Sequence, residues 1–151
     1  KQIKEHKAKR KYIALVHGNI VEEKGTIKAP IGRHPKERMK MAVVFSNSKE
    51  ATTHFTVLER YGKHTLIECA LETGRTHQIR VHLAYIGHPV VNDPLYGLKK
   101  QSFPIVGQAL HSASLHVEHP ITKDSLYVEA PLPPDLINCI EYAKMHRKEE
   151  G

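Results

Sequence analysis

Residues 51–72, ATTHFTVLERYGKHTLIECALE, set two β-rich arms either side of a polar, glycine-containing connection at 61–64, which commits the middle of the chain to an antiparallel hairpin. Other β-forming runs surround it. KYIALVHGN reads as a strand closed by a Gly-Asn turn, and GTIKAPIG as a short edge piece, because Pro30 has no N–H to give a ladder. MAVVF is a further strand, and ALHSASLHVEHPITKDSLYVEAP gives two more around an HPITKD turn. Over 76–86 the period changes to that of a helix, with Thr76 at the N-cap, Gly87 as the stop and Pro89 just beyond. GHPVVNDPLYG is rich in turn formers and reads as a loop. PPDLINCIEYAKMHRKEE, apolar at 136, 137, 140 and 143 behind a Pro-Asp start, suits a closing amphipathic helix. The first eleven residues are basic with little apolar periodicity and suit the end of a helix. These elements predict an α+β class with mostly antiparallel strands, and 151 residues suffice for one domain.

The longest apolar runs have five residues, far short of the roughly 20 that a membrane span requires. The opening KQIKEHKAKRK has no apolar stretch of the secretory kind. Cys69 and Cys139 share no metal or redox spacing and read as small apolar residues in a reducing cytoplasm. Lys and Arg outnumber Asp and Glu by 23 to 16, a net +7, and the balance leans toward a polyanionic partner such as RNA or DNA.

LETGRTHQIRVHL, residues 71–83, crowds hydrogen-bond donors into the predicted helix. Ile79, Leu83 and Ile86 form one apolar stripe, while Val81 and Tyr85 add apolar surface on another side. Arg80 is therefore expected to be enclosed, and an enclosed guanidinium requires an acidic partner. Glu72 and Asp93 are the nearest acids in sequence, and pattern places neither on its face. At the helix start, free backbone N–H groups, Arg75 and His77 admit two readings: an anion site, or an ordinary N-cap with a solvated Arg75.

His77, His82 and His88, and likewise His111, His116 and His119, lack a helical i, i+4 zinc pair and a flanking Cys or Glu, so no metal is predicted. No P-loop, nucleophile-elbow or dinucleotide fingerprint occurs, and no cofactor is implied. The loop GRHPKERMK carries Arg33, His34, Lys36, Arg38 and Lys40, which read either as a solvated charged loop or as a phosphate-contacting arm; with the basic N-terminus, the arm is favoured. Tyr12 suits either strand packing or a stacking face for an exposed base.

KRKYIALVHG, APIGRHPKERMKMAV, LETGRTHQIRVHLAYIGHPVVNDPLYG and ALHSASLHVEHP together resemble, in order, the RluA/RluD-type pseudouridine synthases. The resemblance implies a mixed, mostly antiparallel sheet with flanking helices and isomerisation of uridine in ribosomal or transfer RNA. It matches Tyr12 to the tyrosine that stacks on the target uracil, Arg80 to the basic residue that pairs with the catalytic aspartate, and Leu110 to a leucine lining the pocket. Arg75 and the helix start fall on the RNA and active-site surface. The family's nucleophile lies in an HRLDxxTSG stretch that this sequence does not contain. Residues 1–151 are thus expected to be the C-terminal part of the catalytic domain, inactive alone, with Arg80 waiting for an acid from outside the chain. Exposed strand edges are expected to promote self-association or pairing with the missing half. The alternatives are a non-catalytic basic RNA-binding module on the same scaffold and, last, a DNA-binding domain, for which no helix-turn-helix or zinc pattern exists.

Overall fold

The computed structural model describes residues 9–98, 103–105, 107–118 and 125–146. In chain order the elements are β1 (Lys9–His17), β2 (Lys24–Lys28), β3 (Ile31–Arg33), β4 (Met41–Val43), β5 (Ser48–Lys49), β6 (Thr52–Arg60) and β7 (His64–Leu71). They continue with α1 (Gln78–Tyr85), β8 (Leu110–Glu118), β9 (Ser125–Glu129) and α2 (Pro134–His146). Six strands form one sheet in the order β2-β6-β7-β1-β8-β9, each neighbouring pair antiparallel. The expected hairpin is β6–β7, with a register shift between Val57 and Glu59. The predicted HPITKD turn, the end of the closing helix and residues 1–8 lie outside the described residues.

Two sequence expectations need correction. Residues 9–11 belong to β1 rather than to a helix end, because β7 and β8 flank this strand and give its backbone ladder partners on both sides. GTIKAPIG is two strands, not one edge piece. Pro30 interrupts the run, so β2 ends as the margin of the large sheet and β3 starts afresh as the centre of a three-stranded sheet, β4-β3-β5.

Residues that oppose one another in register share a face of the sheet. Tyr12, Ala14 and Val16 of β1 thus lie with Cys69, Ile67 and Thr65 of β7, and through these with Phe55 and Val57 of β6. Thr53 shares this face, and its hydroxyl meets His82 of α1, so α1 covers it. The opposite face carries His17 and His64, whose rings lead through Phe103 to Tyr142 of α2. Ile79 and Leu83 from α1, and Leu136, Cys139 and Ile140 from α2, join the strand residues in one core. Val81, on another side of α1, packs against Ile31 and Ala51 beside the small sheet.

Both β4 and β5 run antiparallel to β3, so the chain between them must cross over β3. It does so at Gly32, where a Cβ would come within 2.6 Å of the Asn47 carbonyl oxygen. Only glycine lets the crossover lie this close.

Candidate active site

A cleft of about 650 Å³ opens where the N-terminal end of β1, the C-terminal end of β7, α1 and the start of β8 meet; Tyr12, Arg80, Leu110, Arg10, Arg75 and His77 are among its lining residues. The register of β1 against β8 shifts between Lys11 and Tyr12, passing from Ser114 to Ser112 and leaving Ala113 as an extra residue. Such a bulge bends a strand and re-aims neighbouring side chains, and here it falls beside the cleft tyrosine.

The motif around α1 braces the cleft's walls. Gln78 is buried and fully committed. Its amide N–H groups donate to the Thr52 carbonyl and Thr53 hydroxyl, both at 2.9 Å, and its oxygen accepts from the Thr73 hydroxyl at 2.7 Å and the Arg75 N–H at 3.0 Å. His82, wholly buried, bonds the Ala29 carbonyl at 2.9 Å through Nε2 and the Thr53 hydroxyl at 2.8 Å through Nδ1. A carbonyl can only accept, so Nε2 carries the proton and Nδ1 accepts from Thr53. Burial lowers the pKa of His82 against the opposing bond to Ala29 and favours the neutral ring.

Arg80 is enclosed as expected, with 9% of its surface exposed. Its acid, however, lies within the chain. Nε and Nη2 form a bidentate pair with the two carboxylate oxygens of Asp93, each at 2.8 Å, and the guanidinium lies 5.2 Å from the centre of the Tyr96 ring. Sequence pattern concealed this pairing because Asp93 sits on an irregular loop, where helical and strand periodicity place nothing. That loop is shaped by its turn residues. Asn92 takes a left-handed backbone, Asp93 accepts the N–H groups of Leu95 and Tyr96, and a Cβ on Gly97 would meet the Asp93 carbonyl oxygen at 2.6 Å. Burial pushes the Asp93 carboxyl upward, but the hydrogen bonds from Arg80, Leu95 and Tyr96 outweigh it and hold the group below the usual aspartate value. Arg80 Nη1 makes no hydrogen bond among the described residues.

The helix start also differs from expectation. His77, not Thr76, is the N-cap, with a left-handed backbone (φ 57°) and no side-chain capping bond. Its Nδ1 bonds the Tyr96 hydroxyl at 2.7 Å, and that hydroxyl also takes the Met41 N–H at 2.9 Å. The Tyr96 hydroxyl thus ties the helix cap to β4. Burial lowers the pKa of His77, the Arg80 charge adds to the effect, and Asp93 opposes it. Arg75 is not simply solvated, since its Nε donates to the Glu50 carbonyl at 2.7 Å. Gly87 closes the helix as predicted, at φ 88°, donating to the Ala84 carbonyl while His88 donates to that of Leu83.

The basic loop belongs to the small sheet. Arg33 donates to the Arg38 carbonyl, His34 Nδ1 accepts the N–H groups of Lys36 and Glu37, and Lys40 pairs with Glu37. Lys40 also lines a second cleft beside Asn92 and Asp93. His77, His82 and His88 point to different partners, the last to the His17 carbonyl. Among the described residues no His, Cys, Asp or Glu cluster has metal-holding geometry, and no helix is long and apolar enough to cross a membrane.

An α+β fold with a cationic cleft at the sheet's centre defines a class, and comparison with known proteins names the family. The family model for RNA pseudouridylate synthase matches residues 1–85. An RNA pseudouridine synthase of Bacillus subtilis, YlyB, is 54% identical over 132 residues, spanning 87% of this chain and 43% of its own length. Ribosomal large subunit pseudouridine synthase D of Nitrosomonas europaea is 47% identical over 148 residues, spanning 93% and 42%. The solved structure of human RNA pseudouridylate synthase domain containing 1 superposes with a TM-score of 0.76 at 33% identity, over 90% of this chain and 60% of that one. The chain belongs to the RNA pseudouridylate synthase family. It spans less than half the length of the two curated relatives.

Proposed function

We propose that this chain is the C-terminal part of the catalytic domain of an RNA pseudouridine synthase that works in the cytoplasm, with ribosomal RNA as the leading substrate and transfer RNA the other. The observation that carries the reading is the convergence of Tyr12, Arg80 and Leu110, from three separate elements, on one cleft. A uridine flipped from its RNA stacks on Tyr12 beside Leu110, at an unpairing cost of a few kcal/mol that phosphate contacts offset. Arg75, His77 and the arm of Arg33, His34, Lys36, Arg38 and Lys40 supply those contacts. An aspartate from an upstream segment breaks the bond from the ribose to the ring nitrogen, the ribose is rejoined to a ring carbon, that carbon's proton passes to solvent, and the freed ring nitrogen takes up a proton, so that composition is conserved. Arg80 is shared by two acids in this scheme. Asp93 holds Nε and Nη2, and Nη1 remains for the incoming aspartate. The chain alone is inactive and pairs with the upstream half or with itself through its outer strands.

The test is tritium release from RNA labelled at the uracil ring carbon. A longer protein carrying the upstream aspartate segment should release tritium, and its Tyr12→Ala variant should not. Turnover by residues 1–151 alone would contradict the assignment. RNA binding without turnover in the longer protein would favour a non-catalytic RNA-binding module on the same scaffold.

A further inference from the structure

We propose that the crossover between β4 and β5 presents Phe45 as a stacking platform for an unpaired RNA base, at a binding site distinct from the Tyr12 cleft. The inference rests on RNA being the partner of this chain. Phe45 is 79% exposed. Its exposure is not that of a frayed loop. The crossover is pressed onto Gly32, Asn47 holds a left-handed backbone, and the Val44 N–H is bound to the Pro30 carbonyl. Beneath it, Ile31 of β3 is anchored against Val81 of α1. A large apolar ring is thus held in water by an ordered backbone, so its surface is available to a partner without a loop having to order first.

Charge selects the partner. Residues 33–49 carry Arg33, Lys36, Arg38, Lys40 and Lys49 against Glu37 alone, a net +4 out of the chain's +7. The strand at the centre of this unit, β3, spans about 10 Å, with the basic loop beyond its Arg33 end and the chain entering the crossover of Phe45 at its Ile31 end. A flat ring carried on the same small sheet as these cations matches a single strand, which alternates phosphates with bases that have π-faces. A polyglutamate-like acidic chain offers the charge without a flat ring, and a lipid surface would call for a broader apolar patch than Phe45 and Met39, the large exposed apolar side chains of this arm.

The experiment uses residues 1–151 with a short single-stranded RNA carrying 2-aminopurine, and the same RNA annealed to its complement. F45A is expected to bind the single strand about ten-fold more weakly and to lose the stacking quench. F45W should retain both, F45L should behave like F45A, and duplex binding should not distinguish the variants. Wild-type affinity in F45A overturns the platform; if R75A still weakens RNA binding in that case, the wider RNA reading stands. No RNA binding by the wild type overturns both. Binding that depends on Phe45 but goes to phosphatidylserine vesicles or polyglutamate, or self-association that depends on it with RNA affinity unchanged, overturns the platform in favour of a membrane, an acidic protein or a second copy.

Discussion

Removing Asp93 tests the framework of the cleft most directly. The Asp93 side chain is fully buried and that of Arg80 is 10% exposed, so solvent screens the pair little. At an effective dielectric near 20, opposite charges about 4 Å apart attract by about 4 kcal/mol, and removing one partner strands the other away from water. Asp93→Ala should therefore destabilise the chain by about 3–5 kcal/mol, with Asp93→Asn toward the lower end because its amide oxygen still accepts from Leu95 and Tyr96. The double variant Arg80→Met, Asp93→Leu should lose less than Asp93→Ala, since it leaves no charge unpaired. Urea unfolding of the wild type, Arg80→Met, Asp93→Leu and the double variant gives the coupling energy. The carboxyl's folded pKa lies below its ordinary 3.8, so the pair's contribution is present above that pH and lost as the pH falls through the lower folded value. A coupling energy below about 0.5 kcal/mol would refute this account, because independent sites add to within that margin.

His64 should make stability sensitive to acid in a higher range. Burial, then the charges of His17, Lys63 and His146, lower its pKa from 6.5 to about 4, so the unfolded chain takes up a proton that the folded one refuses. Melting temperature should fall between those values, and H64F should flatten the decline; an unchanged slope would count against it. Gln78→Leu should cost about 2–4 kcal/mol in urea unfolding by stripping partners from Thr52, Thr53, Thr73 and Arg75, whereas a loss under about 1 kcal/mol would mean that water replaces them.

The hairpin, both helices and the enclosure of Arg80 were legible because each follows from local periodicity or from the chemistry of one side chain. What escaped depends on distant returns of the chain. Asp93 reaches Arg80 only through the shape of its own turn, and His77 displaces Thr76 as the cap, held by Tyr96 from that same turn. The small sheet was hidden by strands of two or three residues, too short to show a period. Among the donors of the motif, Gln78 and His82 look in sequence like candidates for a ligand. Their partners are backbone groups and threonine hydroxyls, and of the two only Gln78 lines the cleft, beside Arg75, His77 and Arg80.

β1 comes first among the described strands but lies between β7 and β8. The β6–β7 turn closes over a few residues, whereas Tyr12 meets Cys69 and Ser112 only after far longer stretches of chain have been brought round. Loop-closure entropy grows with such separations, which sets an order of assembly in which the hairpin precedes the central seam. The cleft, walled by both early and late pieces, is among the last features of the molecule to take shape.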